Sequence, residues 1–245
     1  MLVFTFIVLT ISIVAVTYVF LVMPRASDGA DMDMQSTDYA HDGLFDACVP
    51  RASLDAFRRA KEQGYGIELR IILSRDGEVC VFLGSHLRPP LKLNELLSLI
   101  DGNVPLLIEI TRDSSSFALC KKLCLIMDAY SGAFAIESPD PKILGFFKQF
   151  RPRYARGQIV LTKSQIAVKG KSRLTHFMRR HLFTNVISRP DFIVTHGNLL
   201  REPAFLLATR IFSKRGFIRY VKNGRQYSIC RKNSLYAIFE NIKPQ

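Results

Sequence analysis

Residues 53–83 read SLDAFRRAKEQGYGIELRIILSRDGEVCVFL, and this stretch decides the fold class. Ser53 is a suitable helix N-cap, apolar side chains follow at helical spacing, and Gly64 ends the predicted helix. Two runs rich in apolar and β-branched residues, 66–73 and 78–83, then flank a turn at 75–77. The stretch therefore predicts one helix followed by two strands.

The alternation of strands and helices continues on both sides of this stretch. Further strands are predicted at 39–41, 104–110, 133–137, 158–161, 191–194 and 216–221, and further helices at 93–100, 117–130, 141–150, 172–183 and 203–212. Eight strands, mostly separated by helices, indicate a parallel α/β domain. Eight units in about 205 residues fit a compact (β/α)₈ TIM barrel, with a doubly wound sheet as the alternative. The pair Asn223-Gly224 departs from this pattern and predicts a C-terminal hairpin.

The first 23 residues form an apolar segment without a charged side chain. A run of about 20 apolar residues is long enough to cross a bilayer. A cleaved signal peptide is the alternative, but the segment lacks a basic start and a small-residue cleavage site. We predict a single-pass membrane anchor over 1–24, an acidic linker over 25–38 and a barrel domain over 39–245.

Charge is distributed unevenly along the 245 residues. Residues 142–245 hold 22 Lys and Arg against three Asp and Glu, and the densest basic stretch is 169–180. A solvated basic face and attraction to an anionic membrane surface explain this equally well. No nucleic-acid partner is expected, because no nucleic-acid-binding motif is present. If the basic face contacts anionic lipid, we expect the barrel on the cytoplasmic side. The five cysteines, an odd number that predicts free thiols, agree with that location.

Charged side chains at the ends of predicted strands are the candidates for chemistry, because barrel sites lie at the C-terminal ends of strands. His41 ends the first strand, Glu68 and Arg70 share one face of the second, and Glu109 lies in an otherwise apolar strand. An unpaired carboxylate in such a strand is costly. Glu109 therefore needs a metal ion, an arginine or a proton.

Several of these residues belong to motifs that resemble the glycerophosphodiester phosphodiesterase family, over about residues 39–245. The family patterns are H-R-G, P-E-N-S, G-x-E-x-D, K-D-G, V-x-F-H-D-x-x-L and, later, I-E-x-K. The corresponding segments here are HDG at 41–43, PRAS at 50–53, GIELR at 66–70, RDG at 75–77, VFLGSHL at 81–87 and PLLIEI at 105–110. The resemblance implies a (β/α)₈ barrel that hydrolyses phosphoric diesters in glycerophospholipid metabolism.

The resemblance also implies site residues and a cofactor. His41 corresponds to one of two acid–base histidines, and Glu68 and Glu109 correspond to ligands of a divalent Ca²⁺ or Mg²⁺. Other family positions are lost, and among them the second histidine is Leu83 and the remaining metal-binding acid is Arg70. His86 lies three residues beyond the lost histidine, and reaching its place would need a rearranged loop.

These substitutions leave the enzymatic activity open. One hypothesis is a catalytically impaired, membrane-anchored protein that binds a glycerophosphodiester or a phospholipid head group, with Arg51 and Arg70 contacting the phosphate. In that case the protein needs no metal. The alternative is a residual metal-dependent phosphodiesterase. For Arg70, an internal salt bridge that only holds the barrel together is a further interpretation.

Overall fold

The computed structural model describes residues 1–25, 37–82, 90–162, 173–212, 215–240 and 242. Its helices are α1 (Leu2–Val22), α2 (Leu54–Glu62), α3 (Leu93–Ile100), α4 (Ser116–Met127), α5 (Pro141–Phe150), α6 (Arg173–Arg180), α7 (Asn185–Ser188), α8 (Pro203–Leu206, continued by a π-helical turn over Leu207–Ile211) and α9 (Gly224–Lys232). Its strands are β1 (Tyr39–His41), β2 (Gly66–Leu73), β3 (Val79–Val81), β4 (Leu106–Glu109), β5 (Phe134–Ser138), β6 (Ala155–Ile159), β7 (Phe192–Thr195), β8 (Arg215–Val221) and β9 (Tyr236–Phe239). Leu83, His86, most of the acidic linker and the first four residues, 169–172, of the basic stretch lie outside the described residues.

Eight of the strands form a closed parallel barrel, which confirms the predicted (β/α)₈ fold. The order is β1-β2-β4-β5-β6-β7-β8-β9, and β9 pairs with β1 to close the ring. The predicted strand 78–83 is not a member of this ring, because β3 turns back and pairs antiparallel with β2. The eighth member is instead β9, for which the sequence analysis predicted no strand.

The predicted C-terminal hairpin at Asn223-Gly224 is wrong. Asn223 is the N-cap of α9, where its side-chain oxygen accepts a hydrogen bond from the Gln226 amide at 2.9 Å. Asn is favoured both in hairpin turns and at helix N-caps, so the dipeptide alone does not separate the two. The helix supplies the last crossover, which brings β9 back beside β1 in parallel.

The lower half of the barrel interior, toward the N-terminal ends of the strands, is an aromatic plug. The Phe217 ring lies 5.8 Å from Tyr39, 5.2 Å from Phe192 and 5.5 Å from Tyr236. Gly157 makes room for this plug, because a Cβ there would lie 2.2 Å from the Phe192 ring. Because these aromatic side chains fill the lower half of the interior, we look for polar chemistry at the upper end of the barrel.

The apolar helix α1 is exposed along most of its length, and its last turn packs against the barrel. Val22 is fully buried, and its carbonyl accepts a hydrogen bond from Asn185 Nδ2 at 2.8 Å. Arg189 Nη1 donates to the carbonyls of Phe20 and Met23 at 3.0 and 2.7 Å. The helix is long and apolar enough to cross a membrane, a property that signal sequences and buried core helices share.

Four of the five cysteines are buried and Cys48 is exposed, and all five are free thiols. Burial raises the pKa of Cys120 and of Cys230 to about 12, so both are protonated at neutral pH. They act as small apolar side chains in the layer between the barrel and its helices.

Candidate active site

Three glutamates from neighbouring strands converge at the upper end of the barrel. Glu68 lies on β2, Glu109 on β4 and Glu137 on β5, and each is buried. Their positions follow from the strand alternation, since Leu107 and Ala135, two residues before Glu109 and Glu137, also face the barrel interior. One carboxylate oxygen of each lies within 4.8 Å of the other two. Glu68 and Glu109 were predicted to lie here, whereas Glu137 was missed.

A fourth buried side chain, Arg219 on β8, reaches into the middle of this triad. Its Nη2 donates hydrogen bonds to Glu68 Oε1 and to Glu109 Oε2, and it lies 3.9 Å from Glu137 Oε1. Burial opposes the charge of Arg219, but the three carboxyl groups outweigh burial and raise its pKa well above the usual value. A permanent positive charge therefore lies among the three acids.

The three carboxyl groups differ in the direction of their pKa shifts. Burial would raise the pKa of Glu68 and of Glu109, but Arg219, together with His41 at Glu68 and with Arg70 at Glu109, outweighs burial, and both pKa values are lowered. Burial raises the pKa of Glu137 well above its usual value, and the negative charge of Glu68 raises it further. The cluster thus combines two carboxyl groups of lowered pKa, one of raised pKa and one guanidinium.

His41 connects this cluster to the cavity above it. Its Nδ1 hydrogen-bonds to Glu68 Oε2, and its Nε2 lies 3.6 Å from Asp42 Oδ2. Burial would lower the pKa of His41, but the charge and hydrogen bond of Glu68 outweigh burial and raise it above the usual value. The imidazole therefore holds its proton more strongly than a free histidine.

The cavity has a volume of about 350 Å³, and Arg51 and Arg70, the other two predicted site residues, are part of its wall. Its lining comprises His41, Asp42, Arg51, Ala52, Arg70, Phe82 and Tyr220. Arg70 Nη2 lies 3.2 and 3.3 Å from the two carboxylate oxygens of Glu109, and the Arg70 side chain is one-third exposed. Arg51 donates to Asp42 Oδ2 and to Glu240 Oε1, both at 2.7 Å. His41, Arg51 and Arg70 thus share one cavity, and both arginines already contact carboxylates.

The position of Tyr220 does not follow from the sequence pattern, because an irregularity of β8 redirects its side chain. The pairing of β8 with β9 shifts register between Arg219 and Val221, and Tyr220 adopts φ +59° there. Such a bulge redirects a side chain that regular alternation would send to the other face. The Tyr220 ring consequently lies 4.9 Å from the His41 ring, beside Arg219.

His196, which follows β7, lies on the other side of Tyr220. The two rings are 5.5 Å apart, and His196 Nε2 is buried without a hydrogen-bond partner among the described residues. Burial and the charge of Arg219 lower the pKa of His196 to about 4, so its ring is neutral at pH 7. Tyr220 and Arg219 line a second cavity, of about 390 Å³, together with His196.

A divalent metal ion does not fit the cluster in this arrangement. The oxygen donors of the glutamate triad are of the type that Ca²⁺ and Mg²⁺ prefer. However, Arg219 Nη2 is hydrogen-bonded to the two acids that the family resemblance assigns to the metal. Arg219 therefore provides the positive charge that a metal ion would provide, and Arg70 adds a second contact to Glu109.

Comparisons with known proteins agree with this architecture. No protein-family model and no curated protein sequence matches the chain. Among solved structures, an Oleispira antarctica phosphodiesterase in complex with its product sn-glycerol-3-phosphate superposes with a TM-score of 0.66 at 14% identity, covering 85% of this chain and 94% of that one.

Glycerophosphodiester phosphodiesterases from two other bacteria are also similar. The Parabacteroides distasonis structure has a TM-score of 0.62 at 14% identity, covering 84% of this chain and 93% of that one. The Agrobacterium tumefaciens structure has a TM-score of 0.58 at 16% identity, covering 84% and 96%. The chain therefore has the (β/α)₈ barrel fold of the glycerophosphodiester phosphodiesterases.

Proposed function

We propose that this chain is a membrane-anchored, catalytically impaired relative of the glycerophosphodiester phosphodiesterases that binds a phosphodiester. The ligand would be a glycerophosphodiester or the head group of a phospholipid. The observation that carries the proposal is Arg219, whose guanidinium contacts both Glu68 and Glu109. A metal-dependent phosphodiesterase needs these carboxylates for its cation, and here they neutralise an arginine.

Binding of a phosphodiester rests on the charges that remain around the 350 Å³ cavity. His41 has a raised pKa, and the guanidinium groups of Arg51 and Arg70 are both partly exposed. Guanidinium groups suit phosphate oxygens because they offer paired donors in one plane. The relative from Oleispira antarctica binds sn-glycerol-3-phosphate, which supports a ligand of this class.

Membrane anchoring rests on α1. Its 21 residues carry no charged side chain, and its last turn forms part of the folded domain through Val22, Asn185 and Arg189. Removal of α1 as a signal sequence would leave Asn185 without this partner, so we favour retention as an anchor. Free thiols and the basic C-terminal half support a barrel on the cytoplasmic side, facing an anionic leaflet.

The test uses the full chain reconstituted in vesicles. We would measure binding of sn-glycerol-3-phosphate, and its release from glycerophosphodiesters with Ca²⁺, with Mg²⁺ and with chelator. Arg70→Gln removes a cavity guanidinium, whereas Arg58→Gln removes an exposed arginine on α2 and is the matched control. We expect binding that Arg70→Gln weakens and Arg58→Gln does not, without turnover under any condition. Absence of binding in the unmodified chain would contradict the proposal.

A residual phosphodiesterase is the second candidate, and His41 is the observation that favours it. The raised pKa makes the imidazole hold its proton more strongly than a free histidine, which suits a general acid beside the cavity. Turnover that is lost in His41→Ala would establish this activity. Dependence of that turnover on added metal would show that a cation displaces Arg219 from the glutamates.

A further inference from the structure

The C-terminal part of α1 runs along the outside of the barrel from its lower to its upper end. Arg25, just after the helix, lies 3.5 Å from Asp191, which directly precedes β7 at the lower end. Two turns earlier, the Tyr18 ring packs edge-on against Phe183 at 5.7 Å, three residues after Arg180, whose guanidinium is hydrogen-bonded to Glu202. Glu202 follows β7 at the opposite end of the barrel. The helix axis therefore points toward the face that carries the candidate site.

The rest of α1 continues beyond that face. Residues 2–17 are all exposed, and at 1.5 Å per residue they extend about 24 Å past the contact with Phe183. About 20 residues are needed to cross a bilayer. The 16 free residues are slightly fewer than this, so the whole free length of the helix is required for crossing and no spacer separates the barrel from the membrane surface.

We propose that the site-bearing face of the barrel lies directly against the bilayer that α1 enters, with α6 at the lipid interface. This inference rests on the proposed anchoring of α1. The orientation narrows the class of ligand to lipid head groups, because a phosphodiester that reaches the cavity from the membrane side belongs to a lipid in the same leaflet.

The position of α6 supports this orientation. Arg179, near its end, donates to the Pro139 carbonyl at 2.9 Å and lies 3.2 Å from Asp140, so the helix lies level with the upper end of β5. On its other side α6 exposes 69% of Leu174 and 49% of Phe177. A short helix with exposed apolar side chains beside arginines is typical of a segment at a membrane interface.

Three rings join α6 to α1. The Phe177 ring lies 5.8 Å from Phe183, and Phe183 in turn contacts Tyr18. The exposed apolar side chains of α6 are therefore fixed relative to the anchor helix. The surrounding half of the chain carries 22 Lys and Arg against three Asp and Glu, which complements an anionic leaflet.

The chain has no tryptophan, so a single introduced tryptophan reports its own surroundings. We would prepare Leu174→Trp in the full chain and, as the matched control, Phe150→Trp. Phe150 is 50% exposed at the end of α5 that lies nearest the lower face. Each variant is reconstituted in vesicles of phosphatidylcholine and phosphatidylglycerol, with and without bromine on the acyl chains near the head group.

Flotation of the vesicles first tests whether the chain is anchored. We then expect a blue-shifted emission from Leu174→Trp that brominated lipid quenches, because interfacial side chains lie about 5–10 Å into the head-group region. The emission of Phe150→Trp should remain unquenched. Flotation with no quenching at position 174, or with equal quenching at both positions, would overturn the orientation and leave anchoring intact. Failure to float would overturn both.

Discussion

Replacing Arg219 by methionine removes the charge that holds the glutamate cluster together while keeping much of the side-chain volume. The guanidinium is almost fully buried and contacts Glu68 and Glu109, which are both ionised. Removing one partner from a buried ion pair costs about 3–5 kcal/mol, because the other charge stays buried without compensation. In a domain of this size each kcal/mol lowers Tm by about 2–4 °C. We therefore expect Tm to fall by roughly 6–20 °C.

The same variant should acquire a response to metal ions. Without the guanidinium, the carboxylate oxygens of the triad, all within 4.8 Å of one another, become free to coordinate Ca²⁺ or Mg²⁺. A ligand at 100 times its Kd stabilises the folded state by about 2.7 kcal/mol. Millimolar Ca²⁺ or Mg²⁺ should thus restore much of the lost Tm in Arg219→Met and leave the unmodified chain unchanged.

The assay is thermal unfolding of the full chain in detergent, followed by circular dichroism with chelator, Ca²⁺ or Mg²⁺. Arg70→Met is the matched control, because Arg70 also contacts Glu109 but is one-third exposed and leaves Arg219 in place. Its Tm should fall by far less and should not respond to metal. An Arg219→Met variant as stable as the unmodified chain, or an equal response of both to metal, would refute this reasoning.

Three further substitutions test other parts of the molecule. Glu137 has a raised pKa, so its contribution to the free energy of unfolding is complete below pH 4.5 and is lost as pH rises toward the higher pKa of the folded state. Urea unfolding between pH 5 and 9 measures this decline in the free energy of unfolding, and Glu137→Gln should remove the part that Glu137 causes. Asn185→Ala leaves the buried Val22 carbonyl unpaired and should lower the free energy of unfolding by about 1–3 kcal/mol. Proteolysis in the segment that follows α1 should become faster, and unchanged proteolysis would contradict this. Gly157→Ala drives a methyl group into Phe192 and should cost about 1–3 kcal/mol, part of which Phe192→Leu should restore; an equal loss without Phe192 would contradict the steric explanation.

The barrel was predictable because its strands are local patterns of apolar residues. Hydrophobic runs and helix caps identified seven of the eight barrel strands, and the carboxylates of Glu68 and Glu109 inside them indicated buried charge. The eighth strand was missed because Asn223-Gly224 suits a hairpin turn as well as a helix start. A parallel strand at 236–239 becomes necessary when the sheet closes into a ring, because this strand lies between β1 and β8.

The candidate site was harder to predict because its central contact joins residues 151 positions apart in the chain. The sequence indicated Arg70 as a cation in the place of a metal-binding acid, and Arg70 does contact Glu109. Arg219 carries the same kind of signal as Glu109, a charged residue in an apolar strand, and this signal was available in the sequence. Its reach across the barrel to Glu68 depends on ring closure, and the position of Tyr220 depends on a bulge, so neither follows from local periodicity.

In the proposed function, the arrangement of charges separates binding of a phosphodiester from its hydrolysis. Hydrolysis of a phosphodiester needs a group that stabilises charge as it develops on the phosphoryl oxygens. Arg219 has the required charge, but its Nη2 is already hydrogen-bonded to Glu68 and Glu109 below the cavity. Binding needs only the charge at the cavity mouth, where Arg51 and Arg70 are partly exposed. One arginine inside the barrel thereby takes the place of a metal ion and leaves the two cavity arginines in place, which is the combination that the proposed function requires.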